Sequence, residues 1–75
     1  MPHIQVKLLS GKSEEQKREL TKALMEAAQS VIGYGDKSYS VSIEDFSLQT
    51  WKDDVCPNDI LGNQDILYKK PGYKM

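Results

Sequence analysis

Apolar and polar residues alternate in two short segments of the chain. Residues 3–9 place Ile4, Val6 and Leu8 on one side of an extended backbone, and residues 38–46 alternate in the same way. A period of two residues is typical of a strand with one buried face. The pattern therefore predicts two strands.

The segment between these strands follows a helical period. Ser13 and Gln16 fit a capping box, in which the serine hydroxyl accepts from a first-turn amide and the glutamine reaches back. Apolar residues then recur at steps of three and four: Leu20, Leu24, Ala27, Ala28 and Val31. Gly33 and Gly35 are typical of helix C-terminal ends. We predict a helix of about five turns.

Strand, helix and strand in this order predict an α+β (α/β) fold built on a β-α-β unit with parallel strands. We expect one domain over residues 1–75, with a core at 1–46 and an irregular region with short helices and a C-terminal arm at 47–75. Two strands and one helix leave one sheet face and both sheet edges uncovered. We therefore expect oligomerisation to complete the sheet. A homodimer is favoured and a hexamer is possible.

The last third of the chain is less regular. Thr50 is a candidate N-cap for a short helix, which Pro57 would end or restart. One or two further turns are expected around Gly62, and residues 69–73 read as an extended segment and turn, suited to a strand or arm.

Composition narrows the classes of function. The 75 residues are 39% apolar and 28% charged, with a net charge of −1. This balance gives no polybasic surface for nucleic acid and no apolar run long enough to span a membrane. With one Cys and one His, a structural zinc site is not expected. We expect a cytoplasmic homo-oligomer without metal or cofactor.

Candidate chemistry is concentrated at the N-terminus. His3 and Cys56 have no partner at a recognised catalytic spacing and are read as structural residues. A methionine that precedes proline is readily removed, which would leave Pro2 with a free secondary amine. Burial in an apolar pocket and nearby cations would lower the pKa of such an amine and make it a usable base.

The terminal proline, the strand that follows it and residues 11–17, Gly-Lys-Ser-Glu-Glu-Gln-Lys, resemble the 4-oxalocrotonate tautomerase family. The resemblance covers about 45 of the 75 residues. The tail from Tyr68 to Tyr73 is similar to that of the phenylpyruvate-tautomerase-like subgroup, whose members are longer and can be dimers.

This resemblance implies a role for three residues. Pro2 would be the general base and acid of a keto–enol tautomerase. Lys12, at the family's Gly-Arg position, would pair with a substrate carboxylate, and Trp51 would supply an apolar pocket wall. The implied partner is a small-molecule carboxylate.

One departure from the family bears on the substrate. Better-known members carry an arginine on the second strand, where this chain has Tyr39-Ser40-Val41-Ser42. A monocarboxylate such as phenylenolpyruvate suits the single remaining cation better than a dicarboxylate does. Two alternatives stay open: Pro-dependent dehalogenase, hydratase or decarboxylase chemistry on unsaturated acids, and a non-catalytic oligomeric binding protein.

Overall fold

The computed structural model describes all residues from Met1 to Met75, which form two compact units. Met1–Asp45 is the first unit and Phe46–Met75 is the second. Strand β1 spans His3–Leu9, helix α1 spans Glu14–Ile32 and strand β2 spans Ser40–Phe46. The two strands form one parallel two-stranded sheet. The predicted β-α-β unit with an open sheet is therefore confirmed.

Helix α1 begins with the predicted capping box. The backbone N–H of Gln16 donates to Ser13 Oγ at 3.1 Å, and the N–H of Ser13 donates to Gln16 Oε1 at 2.9 Å. The helix ends at Gly33, whose positive φ of 82° suits a residue without Cβ and whose N–H donates to the Gln29 carbonyl at 3.0 Å. These reciprocal bonds satisfy backbone groups that the helix ends would otherwise leave unpaired.

The apolar stripe of α1 differs from the predicted one in its last two turns. Leu20, Leu24 and Ala28 are half-buried as expected, whereas Ala27 is exposed and Val31 is 83% exposed. No residue of α1 is fully buried. The C-terminal turns of the helix therefore leave apolar surface uncovered within the chain.

Strand β2 begins two residues later than predicted. Residues Asp36–Ser38 form a 3₁₀ turn instead, in which the N–H of Tyr39 donates to the Asp36 carbonyl at 3.1 Å. The Tyr39 hydroxyl also donates to the Gly33 carbonyl at 2.7 Å. These bonds hold Tyr39 against the end of α1, so the ladder with β1 starts at Ser40.

An ion pair joins α1 to the end of β2. Lys17 Nζ lies 2.5 Å from Asp45 Oδ2 and 3.5 Å from Glu14 Oε1. The hydrogen bond with Asp45 is the largest cause that raises the pKa of Lys17 above its ordinary value of 10.5. The pair holds the N-terminal half of α1 over the C-terminal end of β2.

This ion pair predicts a pH-dependent stability. Because the folded chain holds the Lys17 proton more tightly than the unfolded chain, the stabilisation is complete below about pH 10.5 and is lost as the pH rises through the raised pKa. We expect Asp45→Asn to have a lower melting temperature than the wild type at pH 8. Its melting temperature should also fall less than that of the wild type as the pH is raised above about 10.5. The neighbouring variant Glu44→Gln is the control and should behave as the wild type. The prediction would be contradicted if the melting temperatures of all three proteins decreased equally between pH 8 and alkaline pH.

The second unit is helical, with changes of winding along its length. A short α-helix, α2, spans Leu48–Thr50 and continues as a π-helical segment over Trp51–Ile60 and a 3₁₀ segment over Leu61–Ile66. The N-cap is Ser47, whose Oγ accepts from the N–H of Thr50 at 3.1 Å. The predicted Thr50 cap is therefore wrong, because the serine three residues earlier takes that role.

Pro57 neither ends nor restarts the helix, contrary to the prediction. It lies inside the π-helical segment, where the N–H of Leu61 donates to the carbonyl of Cys56, five residues earlier. Proline clashes with the carbonyl four residues before it in an α-helix, and the wider winding relieves that clash. Gly62 lies close above this turn, since a Cβ there would approach the Pro57 carbonyl oxygen at 3.1 Å.

Val55 and Cys56 are the only buried residues, and both lie in the π-helical segment. Cys56 is an unpaired thiol at 4% exposure, in agreement with its reading as a packing residue.

The predicted turns around Gly62 are present, but residues 69–73 form bends and no strand. No helix of the chain has the length and apolar character that a membrane span requires.

Candidate functional site

Pro2 lies directly before β1, at the end of the sheet where both strands begin. The backbone N–H of Ser40 donates to the Pro2 carbonyl oxygen at 3.3 Å, so the start of β2 fixes the position of Pro2. Pro2 is half-buried, whereas Met1 is 99% exposed. While Met1 is attached, the Pro2 nitrogen belongs to an amide and is not basic. The Pro2 nitrogen can therefore act as a base only after Met1, which is accessible, has been removed.

A polar pair accompanies Pro2. His3 Nδ1 lies 2.7 Å from Ser40 Oγ, and both side chains are exposed. The sequence predicts a structural role for His3, because no Ser or Cys lies at a recognised catalytic spacing from it. Alternation within the strands placed His3 and Ser40 each on a polar face, but only the pairing register brings them together.

Lys12 lies in the loop between β1 and α1, beyond the other end of β1. It lines a cavity of about 230 Å³ with Leu8, Gln16, Lys17 and Leu20. Lys17 is engaged with Asp45 and Glu14, whereas no carboxylate lies within ion-pair distance of Lys12. The ammonium group of Lys12 is therefore available to an anionic ligand.

The structure does not bring Pro2 and Lys12 together within one chain. They flank opposite ends of the seven-residue strand β1, which at about 3.3 Å per residue separates them by roughly 20 Å. This span exceeds the length of a small aryl carboxylic acid.

Trp51 belongs to the second unit, where two aromatic residues hold it. The indole N–H donates to the Tyr73 hydroxyl at 3.2 Å, and the ring meets Phe46 edge to face, with centroids 6.3 Å apart and planes at 68°. Edge-to-face packing is a favourable arrangement of aromatic quadrupoles. Trp51 is half-buried, so one part of the ring is fixed and another is accessible. Phe46 and Tyr73 were not singled out from the sequence.

The second unit also contains a cavity of about 350 Å³ next to this aromatic cluster, Phe46, Trp51 and Tyr73. Its walls are formed by Cys56, Leu61, Gln64, Lys70, Pro71, Tyr73, Lys74 and Met75. Lys70 and Lys74 are the two cationic residues among those that line it. Nowhere in the chain do three or more His, Cys, Asp or Glu side chains come close enough to hold a metal ion.

Comparison with known proteins identifies similar chains over nearly the whole length. Residues 2–52 match the family model described as "Tautomerase enzyme". A probable tautomerase of Xylella fastidiosa is 38% identical over 97% of this chain and 89% of its own length. Tautomerase PptA of Pectobacterium carotovorum is 38% identical, with 97% of each chain covered.

A solved structure is similar to part of the chain. YwhB, described as a homologue of 4-oxalocrotonate tautomerase, superposes with a TM-score of 0.59 at 35% identity. The match covers 61% of this chain and 75% of YwhB. The similarity therefore extends to three-dimensional structure as well as sequence.

Proposed function

Because this chain belongs to the tautomerase family of isomerases, we propose that it interconverts the keto and enol forms of a small 2-oxo monocarboxylic acid, such as phenylenolpyruvate. The observation that carries the proposal is the position of Pro2. It is held at the start of β1 by the Ser40 N–H, behind a methionine that is almost fully exposed.

Removal of Met1 would convert the Pro2 nitrogen from an amide into a secondary amine. The amine takes a proton from the enol hydroxyl or the α-carbon of the substrate and returns it at the other position. Its hydrogen-bonded carbonyl fixes the ring, so the lone pair keeps one direction. Proton transfer by a positioned group contributes typically about 10²–10⁴-fold to the rate.

Lys12 is proposed to bind the substrate carboxylate. Its unpaired ammonium group is suited to this role, and because the strand β1 lies between Pro2 and Lys12, we propose that the Lys12 of a neighbouring copy serves the site. The site is then shared between subunits. Trp51, held by Phe46 and Tyr73, is proposed to form the apolar wall that contacts the aromatic part of the substrate.

The open sheet supports self-association. Each strand has one unpaired edge, and no residue of the β-α-β unit is fully buried. The sheet face that carries His3 and Ser40 is polar and exposed, which favours edge-to-edge pairing of two copies over burial of that face. We propose a homodimer. Light scattering on a chromatographed sample should give about 17 kDa, twice the 8.5 kDa chain; a hexamer or a monomer would contradict the dimer.

The location of the protein is proposed to be the cytoplasm. Cys56 is an unpaired buried thiol, and thiols remain reduced in that compartment.

The function is tested with a substrate panel. Protein whose mass shows loss of Met1 is offered phenylenolpyruvate, an enol dicarboxylate, and halogenated or decarboxylatable unsaturated acids. We expect ketonisation of phenylenolpyruvate with the highest kcat/KM. If only the halogenated or decarboxylatable unsaturated acids were turned over, the result would support a different Pro-dependent reaction and contradict the tautomerase proposal. If no compound were turned over, the result would favour a non-catalytic binding protein.

Substitution of Lys12 tests the carboxylate contact. We expect Lys12→Ala to raise KM for phenylenolpyruvate about tenfold, because the loss of one charge-assisted hydrogen bond costs about 1.5 kcal/mol or more. Lys12→Arg should retain a KM near that of the wild type. The exposed Lys22→Ala is the matched control. A KM that is unchanged in Lys12→Ala would remove Lys12 from the site.

A further inference from the structure

Two hydrogen bonds join the beginnings of β1 and β2 beside Pro2. One runs from the Ser40 N–H to the Pro2 carbonyl at 3.3 Å, and the other joins His3 Nδ1 and Ser40 Oγ at 2.7 Å. The backbone of Ser40 is consequently hydrogen-bonded to the residue that would carry the catalytic amine, and its hydroxyl is held by His3, the next residue along β1. Both side chains are exposed, so a bound molecule has access to them.

The proposed reaction requires a hydrogen-bond donor at this place. When the Pro2 amine removes a proton from the substrate, negative charge develops on the substrate's enol or carbonyl oxygen. A donor aimed at that oxygen stabilises the transition state. Strand β2, from Ser40 to Phe46, contains no lysine or arginine that could serve. A neutral donor beside Pro2 is the available alternative.

We propose that the Ser40 hydroxyl donates a hydrogen bond to the substrate oxygen on which this charge develops, and that His3 is the positioning residue that orients it. In this arrangement the Nδ1–H tautomer of His3 donates to Ser40 Oγ, which leaves the Ser40 O–H to donate onward. A hydroxyl group can accept and donate at the same time. No proton leaves Ser40 or His3, and the transferred proton is carried by the Pro2 nitrogen alone.

This inference rests on the proposed function and concerns the same site. It assigns to a neutral Ser–His pair the stabilisation that a cation on the second strand would otherwise provide. A neutral donor also attracts a second carboxylate less than a cation does. The pair therefore favours a monocarboxylic substrate.

Variants of Ser40 test the donor. In Ser40→Ala we expect kcat for phenylenolpyruvate to fall about 10–100-fold. This loss is larger than that for one ordinary neutral hydrogen bond and smaller than that for a dedicated oxyanion-hole donor. KM should change less than about threefold, because the bond strengthens only as charge develops. Ser40→Thr keeps the hydroxyl and should restore kcat to within a few-fold. Ser42→Ala, two residues further along the same exposed strand face, is the matched control.

Variants of His3 test the positioning role. Asparagine can place an amide N–H near the position of Nδ1, so His3→Asn should retain most of kcat. His3→Leu cannot donate and should lose about as much as Ser40→Ala. The double variant His3→Leu/Ser40→Ala should be no slower than either single variant, because both remove the same bond to the substrate.

The outcomes separate the two proposals. One outcome is that the wild type ketonises phenylenolpyruvate in a Pro2-dependent manner while Ser40→Ala and His3→Leu have the same kcat as the wild type. That result would contradict the proposed role of Ser40 and His3 and would leave the tautomerase proposal supported. Equal losses in His3→Asn and His3→Leu would also overturn the positioning role. If the wild type has no Pro2-dependent activity, both proposals fail. Melting curves and light scattering on every variant distinguish loss of the donor from loss of the fold.

Discussion

Pro2→Ala is expected to reduce kcat/KM for ketonisation of phenylenolpyruvate by about 10²–10⁴-fold, the range for a positioned general base. Alanine leaves a primary amine after Met1 is removed, so the terminus still carries a base. That amine rotates about its Cα, whereas the proline ring fixes the direction of the nitrogen lone pair. The Ser40 N–H can still donate to the carbonyl of residue 2, so the strand should be unchanged.

The control for this variant is wild-type sequence in which Met1 is retained, verified by mass. Its residue 2 nitrogen is an amide, and we expect it to be at least as inactive as Pro2→Ala. The pH profile of the mature enzyme should rise as the amine loses its proton and then level off. Activity in Pro2→Ala or in the Met1-retaining protein within about threefold of the mature wild type would exclude Pro2 as the base.

Val55→Asp is expected to unfold the second unit. Val55 is 1% exposed, and Val55 and Cys56 are the only buried residues of the chain. A carboxylate there would lie in an apolar environment without a partner, at a cost of several kcal/mol. The free energy of unfolding of a protein domain is only about 5–15 kcal/mol, and small domains lie near the lower value. We expect loss of the cooperative thermal transition or recovery only as insoluble protein.

Val31→Asp is the matched substitution at a position that is 83% exposed. It places an acid near the C-terminal end of α1, where the macrodipole makes it unfavourable by about 0.3–1 kcal/mol. We expect a cooperative transition a few degrees lower than that of the wild type. If Val31→Asp were as damaging as Val55→Asp, the exposed end of α1 would have to be buried in an assembly, and the oligomeric mass would show this directly.

Most of the β-α-β unit was predictable because its signals are local. The strand alternation from His3 to Leu9 and the Ser13–Gln16 capping box depend on neighbours in sequence, and both are present in the structure. The helical segment of the second unit was less predictable. Ser47 and Thr50 are both good N-caps, and Pro57 interrupts an α-helix but is accommodated in a π-helical one. Local preference cannot choose between such options when packing decides.

Local patterns in the sequence predict the order of the elements and the capped helix, both present in the structure, and they indicate Pro2 and Lys12 as candidate site residues. Periodicity and capping act over a few residues, so they can be read along the chain. Folding adds what the sequence pattern does not specify: Ser40 meets both Pro2 and His3, β1 separates Pro2 from Lys12, and Phe46 and Tyr73 hold Trp51. Each of these relations depends on strand register or on packing between residues distant in sequence, which no local pattern specifies.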